Sequence, residues 1–237
     1  MVQCYAPVRS MSTTPAHRLT TTSYALLAEL ALQPWTTYEL TKQMRGNVRY
    51  LWPRAESRVY EEAKRLVERG LATAERGFTG RRPRTVYAIT DAGRRELAAW
   101  LDRAPAPGFA LEYEAMLKVF FASLGNPDGL RRAVQAVGDD GAAMRAVGDR
   151  LAAEYRAGTS PFQHEVHVRA LTFDFLYTLA AHLDAWAART RAEVASWGDM
   201  DPKDKEARAL EIIEGVLDAA ARLPRGHPPG GSGGAAT

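Results

Sequence analysis

The residues of this chain whose types and spacing could do chemistry are cations at helical and turn spacing, not a catalytic set. In Pro53 to Gly70, P-R-A-E-S-R-V-Y-E-E-A-K-R-L-V-E-R-G, Val59, Ala63, Leu66 and Val67 recur at i, i+4, i+7 and i+8 and form one apolar stripe. Arg54, Ser57, Arg58, Glu61, Lys64 and Arg65 fall on the opposite face. A helix that docks its dry side and offers guanidinium and ammonium groups on the other can lie in a DNA major groove, beside phosphates and base edges. Glu61 repels phosphate, but it can accept from a cytosine amino group and so exclude other bases. The plainer reading is a solvated amphipathic helix. Further on, Thr79-Gly80-Arg81-Arg82-Pro83-Arg84 puts three arginines in one short turn, where long cationic side chains can reach phosphates or the minor groove. The other candidate cluster, His164 and His167 beside Glu165, has no third ligand at a fixed spacing and reads as ordinary helix-start residues, with no metal. No Gly-rich phosphate loop precedes a helix, and no Ser-x-x-Lys, Gly-x-Ser-x-Gly or His-Glu-x-x-His occurs. Neither an enzyme nor a cofactor is expected.

The elements that must position these residues follow from periodicity and punctuation. Thr22 to Leu32 predicts a first helix with Leu26, Leu27, Leu30 and Ala31 inward, ended by Gln33-Pro34. Thr36-Thr37-Tyr38-Glu39 matches a capping box and opens a second helix, with Tyr38, Leu40, Thr41 and Met44 available to pack. Thr36, Thr37 and Tyr38 at its start join the candidate DNA-binding set. Pro53 suits the first turn of the third helix and Gly70 its left-handed cap. After Gly70 the period changes. Leu71 to Phe78 and Arg84 to Thr90 read as two strands joined by the basic turn, a β-hairpin. Three short helices followed by such a hairpin make a winged helix-turn-helix, and the hairpin gives the arginines of the wing a place beside the third helix. Asp91 to Leu101 predicts a fourth helix capped by Asp91, with Leu97, Trp100 and Leu101 buried.

Charge divides the chain in the same place. Thr20 to Arg103 carries 15 Lys/Arg against 10 Asp/Glu, while Ala104 to Thr237 carries 14 against 18, within an overall net charge of +3. A basic first part and an acidic second part suggest a polyanion-binding module joined to one with another task. Ala104-Pro105-Ala106-Pro107-Gly108 reads as the linker. The boundaries expected are a disordered arm over 1–19, the winged domain over 20–103, a helical dimerisation and effector domain over 109–223, and a disordered tail over 224–237. The fold class expected is mainly α with a small β-hairpin. The single cysteine, Cys4, excludes an internal disulfide. No apolar run is long enough to span a bilayer, and the first residues lack a signal-peptide core. A cytoplasmic protein with no membrane partner is expected, with Met1 or Met11 as its initiator.

In the second part Leu111 to Ser123 predicts a helix presenting Tyr113, Met116, Leu117, Phe120 and Phe121. Asp128 to Ala157 predicts a long one, with a kink at Gly138-Asp139-Asp140-Gly141. Glu165 to Trp197 carries a stripe of Val168, Leu171, Phe175, Leu179, Leu183 and Trp186, widened by Phe173, Leu176, Tyr177 and Ala180. A helix apolar on most sides needs more than one neighbour. A second copy of the chain is the natural cover, with Tyr113, Leu117 and Phe120 joining the stripe in the dimerisation set. A dimer with two-fold symmetry carries two winged helices and fits a palindromic operator in double-stranded DNA. Phe173, Phe175, Tyr177 and Trp186 read either as dimer core or as a flat pocket for an aromatic effector. Asp204 to Leu223 predicts a last amphipathic helix with Leu210, Ile213, Val216, Leu217 and Ala220 on one side.

Ser23 to Leu101 resembles the winged-helix domain of PadR-family transcriptional regulators. The resemblance is carried by L-L-A-E-L at Leu26 to Leu30, Y-E-L at Tyr38 to Leu40, W-P at Trp52-Pro53 and V-Y at Val59-Tyr60. It continues in K-R-L at Lys64 to Leu66, G-L at Gly70-Leu71 and R-P-R-x-x-Y-x-I-T-x-x-G from Arg82 to Gly93. It implies that Tyr60, Arg82 and Arg84 touch DNA, that the C-terminal helices form a homodimer, and that an aromatic effector binds at its interface. This chain departs from the family pattern at Thr37, where the family has Gly, and at Glu56-Ser57-Arg58 and Glu61, where it favours Pro-Gly-Ser and Pro. Those last positions read bases. Two other functions remain open: a multidrug sensor dominated by its pocket, and a protein–protein adaptor that uses the winged helix as a scaffold.

Overall fold

A computed structural model describes residues 19–53, 58–79, 82–105 and 109–222. It divides into two compact units, Met1–Phe109 and Ala110–Thr237.

In the first unit, α1 (Thr21–Leu32) opens on a reciprocal cap. The Thr20 hydroxyl accepts from the Ser23 N–H at 3.1 Å, and the Ser23 hydroxyl accepts from the Thr20 N–H at 3.0 Å. Its Leu26, Leu27 and Leu30 are buried and form the centre of the core with Leu40, Met44, Val59, Ala63, Leu66, Tyr87 and Leu97. A residue before proline avoids the helical region, so the chain leaves α1 extended at Gln33. Trp35 and Thr36 form a short strand, β1, before α2 (Thr37–Gln43), and one wide turn follows over Met44–Val48. The third helix, α3, runs Val59–Glu68. Arg58 is its N-cap, and the first turn expected from Pro53 falls on residues 54–57, which lie outside the described residues. Gly70, with φ +70°, ends it as expected.

β2 (Ala72–Thr79) and β3 (Arg82–Ile89) pair antiparallel with Gly77 opposite Arg84 and Phe78 opposite Pro83. The hairpin is one part of a three-stranded sheet, because β1 pairs with the other edge of β3, Trp35 opposite Tyr87. A two-residue strand leaves no readable alternation, and only the tertiary pairing reveals it. The Trp35 indole N–H donates to the Glu29 carbonyl at 2.9 Å, which seats that edge on α1.

α4 (Asp91–Leu101) is capped by Thr90 and not by Asp91. The Thr90 hydroxyl accepts from the Gly93 N–H at 3.0 Å and donates to the Gly70 carbonyl at 2.7 Å, so one side chain closes two helix ends. Gly93 lies under Leu71: a Cβ there would collide with the Leu71 carbonyl oxygen. Leu97 is buried and Trp100 stacks on Tyr24 at 4.8 Å, but Leu101, at the last position of the helix, is exposed.

The second unit is built on α6 (Pro127–Ala157) and α7 (Val166–Ser196), which run antiparallel. The pairs Gln135–Arg191, Arg145–Asp184 and Asp149–Tyr177 cross between them like rungs. The expected kink in α6 does not occur; the helix is continuous through Gly138 and Gly141. The missing Cβ atoms serve packing instead. At Gly141 a Cβ would sit 2.8 Å from the Asp184 nitrogen and 2.9 Å from the Ala180 oxygen, and at Gly138 3.1 Å from the Ala187 Cβ. α5 (Glu114–Phe120) lies against α6, with Tyr113 and Met116 packed on the cluster of Val134, Val137 and Ala187. The Tyr113 hydroxyl donates to Asp140 at 2.7 Å, and burial, then that carboxylate, push its pKa up. α8 (Pro202–Ala221) starts at an Asp201 cap and contains no buried residue. Its attachment to α7 is Arg208, whose guanidinium donates to Glu193 at 3.0 Å and to Glu211 at 2.7 Å.

Candidate nucleic-acid interface

The surface of the first unit that could meet a polyanion is built from α2, α3 and the wing. The capping box at the start of α2 forms as its spacing predicts. The Thr36 hydroxyl accepts from the Glu39 N–H at 3.2 Å and donates to the Glu39 carboxylate at 2.7 Å, which also takes the Thr36 N–H at 2.9 Å. Both ends of the Thr36 hydroxyl are therefore engaged inside the chain. The Thr36 N–H, then its hydroxyl, holds the Glu39 carboxyl below its usual range, and Arg84 adds to this from β3. Thr37 is half-buried, and its carbonyl accepts from the Thr41 hydroxyl. Tyr38 is 79% exposed, so it does not pack inward as the sequence suggested; at the second position of a helix that buries only Leu40, it faces solvent.

On α3 the apolar stripe is buried as its periodicity requires, through Val59, Ala63 and Leu66. Tyr60, 65% exposed, stands outward with Glu61, Lys64, Arg65 and Glu68, and Arg58 is exposed at the N-cap. The charges on this face are not a run of free cations. Lys64 lies 3.9 Å from Glu68, and Arg65 donates to Glu62 at 2.7 Å. Glu62 itself is 2% exposed and also accepts from the Ser23 hydroxyl of α1 at 2.6 Å. Within α3, then, both cations are matched by acids one turn away.

The wing contributes Arg84, exposed on β3, with Phe78 72% exposed at the neighbouring rung of β2. Arg54, Ser57 and Arg81 lie outside the described residues, as does the side chain of Arg82. Further cations lie where the sequence reading did not place a site. Lys42, Arg45 and Arg49 are exposed on α2 and the turn after it, with Arg49 over the Tyr50 ring at 4.7 Å. Their spacing of three and four residues was the available signal.

The second unit separates the aromatic residues proposed for an effector. Phe173 stacks on Tyr177 at 5.3 Å, and the Tyr177 hydroxyl donates to Asp149 of α6 at 2.7 Å. Phe175 is exposed on the other side of α7, and Trp186 packs on the Val134 and Ala187 cluster. The dimerisation set divides similarly. Val168, Leu171, Phe175 and Leu179 of α7 and Leu117 and Phe120 of α5 are exposed, while Tyr113, Leu183 and Trp186 are half-buried within the unit. Among the described residues no group of His, Cys, Asp and Glu could hold a metal, and no helix is long and apolar enough to cross a membrane.

Comparison with known proteins bears on the same residues. The sequence profile of the transcriptional regulator PadR-like family matches residues 26–99. The negative transcriptional regulator PadR of Bacillus subtilis (strain 168) is 30% identical over 101 residues, which are 42% of this chain and 56% of that protein. The chain spans about half the length of the curated relatives it matches. Among solved structures, B. subtilis PadR in complex with operator DNA has a TM-score of 0.58 at 22% identity, over 74% of this chain and 99% of that chain. The same protein in complex with p-coumaric acid has a TM-score of 0.52 at 22% identity, over 73% and 98%. At such identities these structures speak for a shared fold. The matched family and its solved neighbours are transcriptional regulators, not enzymes.

Proposed function

We propose that this chain, whose residues 26–99 form a domain of the PadR-like family of transcriptional regulators, binds double-stranded DNA as a homodimeric repressor in the cytoplasm and is released by a small aromatic or hydrophobic effector. The observation that carries the reading is local. Thr36, the N-cap of α2, pairs with Val86 on the wing strand, two residues from Arg84. This pairing seats the wing beside the helix-turn-helix, whose exposed side chains include Tyr38, Tyr60, Glu61, Lys64 and Arg58. In this reading α3 enters the major groove, with Tyr60 and Glu61 at base edges and Arg58 and Lys64 at flanking phosphates. Arg81, Arg82 and Arg84 supply affinity that depends on salt and not on sequence. Thr36 positions α2 through its cap.

A homodimer is supported by the apolar side chains that α5 and α7 leave bare, a larger apolar surface than an isolated soluble unit carries at no cost. Repression and an effector are supported by what relatives are named for: a negative regulator, solved with operator DNA and with p-coumaric acid. A second reading, a protein–protein adaptor, has α8 in its favour, since Leu210, Ile213, Val216 and Leu217 are all exposed. Fluorescence anisotropy of the purified chain on its own upstream DNA, beside a scrambled duplex and across a salt series, separates the two. A preference of about a thousandfold with a steep salt slope is expected of a specific binder. Weak and equal binding to both duplexes would leave the adaptor as the better reading.

A further inference from the structure

The charges of α3 are arranged in a way that the DNA-binding reading does not use. Glu62 is the one acid on this helix that points inward, and both of its oxygens are taken. The Ser23 hydroxyl has a single hydrogen, and at 2.6 Å from Glu62 Oε2 that hydrogen is spent on the carboxylate. Ser23 Oγ also lies 3.0 Å from the Thr20 hydroxyl, which must then be the donor of that pair, and it accepts the Thr20 N–H as well. The α1 cap thus ends in a hydroxyl aimed at Glu62, with its direction fixed. The other oxygen, Oε1, is held by Arg65 Nη1 at 2.7 Å. Arg65 lies among the outward residues of the proposed recognition helix, yet its guanidinium is turned back onto a carboxylate that solvent does not reach. If Arg65 swung out to a phosphate, it would leave that buried charge with the Ser23 hydroxyl as its one remaining donor among the described residues, which is a strongly unfavourable state.

We infer that Glu62 is a positioning residue that holds Arg65 off the DNA backbone, so that α3 contributes base contacts while being denied one sequence-independent phosphate contact. The inference rests on the DNA-binding reading for its consequence and on the Ser23–Glu62–Arg65 geometry for its substance. The clamp also pins α3 to α1, because the same carboxylate bridges Ser23 and Arg65 across the two helices. It therefore fixes the rotation of α3 about its axis, and with it which side chains face outward. A glutamine at position 62 could still accept from Ser23, but it would release Arg65.

The test compares four full-length proteins, the wild type, Glu62→Gln, Arg65→Gln and the double variant, on a scrambled duplex and on the upstream DNA across a salt series. Each phosphate neutralised by a cation adds about 0.9 to the magnitude of the slope of log K against log salt. Arg65→Gln keeps a donor toward Glu62 and is expected to leave the slope unchanged. Glu62→Gln is expected to steepen it by about 0.9 and to narrow the preference for the upstream DNA severalfold. The double variant is expected to return to the wild-type slope, a rescue that general damage to the fold cannot produce. A slope that falls by about 0.9 in Arg65→Gln alone would show that Arg65 already contacts phosphate and would overturn the inference, while leaving the DNA-binding reading intact. A wild type that binds neither duplex would sink that reading instead. The clamp itself is read without DNA, by a double-mutant cycle of unfolding stability at Glu62 and Arg65. A coupling indistinguishable from zero overturns the inference whatever the DNA result, including the case in which Glu62→Gln folds poorly.

Discussion

Adding one methyl group at Gly141 should separate α6 from α7, and the size of the effect can be worked from the packing. An alanine Cβ at this position would lie 2.8 Å from the Asp184 nitrogen, 2.9 Å from the Ala180 oxygen and 3.1 Å from the Leu183 Cβ. Two of these are backbone atoms of α7, and a backbone cannot swing aside as a side chain can. Overpacking a close contact costs about 1–3 kcal/mol. Against this, replacing glycine by alanine inside a helix gains up to about 1 kcal/mol. The net expectation is a loss on the order of 1–2 kcal/mol. Gly215 on α8 is the control: a Cβ there meets nothing within 4 Å, so Gly215→Ala keeps the helical gain without the clash. Hydrogen exchange read peptide by peptide is the suitable assay, because it reports each helix separately. Gly141→Ala should exchange roughly five- to thirtyfold faster across α6 and α7, the factor that corresponds to about 1–2 kcal/mol, with the α1–α4 unit unchanged. Gly215→Ala should slow exchange in α8. Equal or slower exchange in α6 and α7 of Gly141→Ala would mean that the helices do not approach as closely as described, and the steric argument would fail.

Thr36→Ala removes a side-chain cap and should cost about 1 kcal/mol locally, seen as faster amide exchange at the start of α2; an unchanged rate would deny the cap its role. The Glu193 carboxyl is held below its ordinary value of 4.5, first by Arg208 and then by the Trp197 indole N–H. A depressed folded pKa means that the contribution of this carboxylate is present above the unfolded value and lost as pH falls through the folded one. Trp197 fluorescence should therefore hold steady down to the ordinary carboxylate range and change only below it, and in Arg208→Gln the change should move to higher pH. At the other extreme, Tyr113 has a pKa raised above 10.0 by burial and by Asp140. Its contribution is complete below the unfolded value and is lost as the solution becomes more alkaline. In a spectrophotometric titration Asp140→Asn should bring the ionisation of Tyr113 back toward the ordinary range, and an unchanged titration would sink this account.

Local signals in the sequence were legible where both partners of an interaction are close along the chain. The Thr36–Glu39 box formed because its two hydrogen bonds need only one turn of helix. The stripe of Val59, Ala63 and Leu66 was readable for the same reason. Asp91 was the cap the sequence suggested. Thr90 took the position because its hydroxyl also reaches the Gly70 carbonyl, a partner that adjacency in sequence does not reveal. Gly138 and Gly141 suggested a kink because glycine weakens a lone helix, but an opposing helix uses the same missing Cβ for close approach. The candidate site was legible in its residue types and less so in its electrostatics. On a face that reads as Arg, Lys and Arg, Lys64 and Arg65 are matched by Glu68 and Glu62, and the i, i+4 and i, i+3 spacing that matches them was present in the sequence.

Every residue of α8 lies open to solvent, and this has a consequence for how the chain comes apart. A helix of 20 residues with no buried side chain draws almost nothing from tertiary packing, which is where most helices in proteins find their stability. Its order rests on the Asp201 cap, on pairs along its own surface and on the one Arg208 fork. It is therefore thermodynamically uncoupled from the α6–α7 pair and should fray while the rest of the chain is still native. Heating should first produce a gradual loss of helical ellipticity belonging to α8, and only later the cooperative transition of the packed units. A partner that settles on its apolar side would convert that sloping baseline into part of the cooperative step.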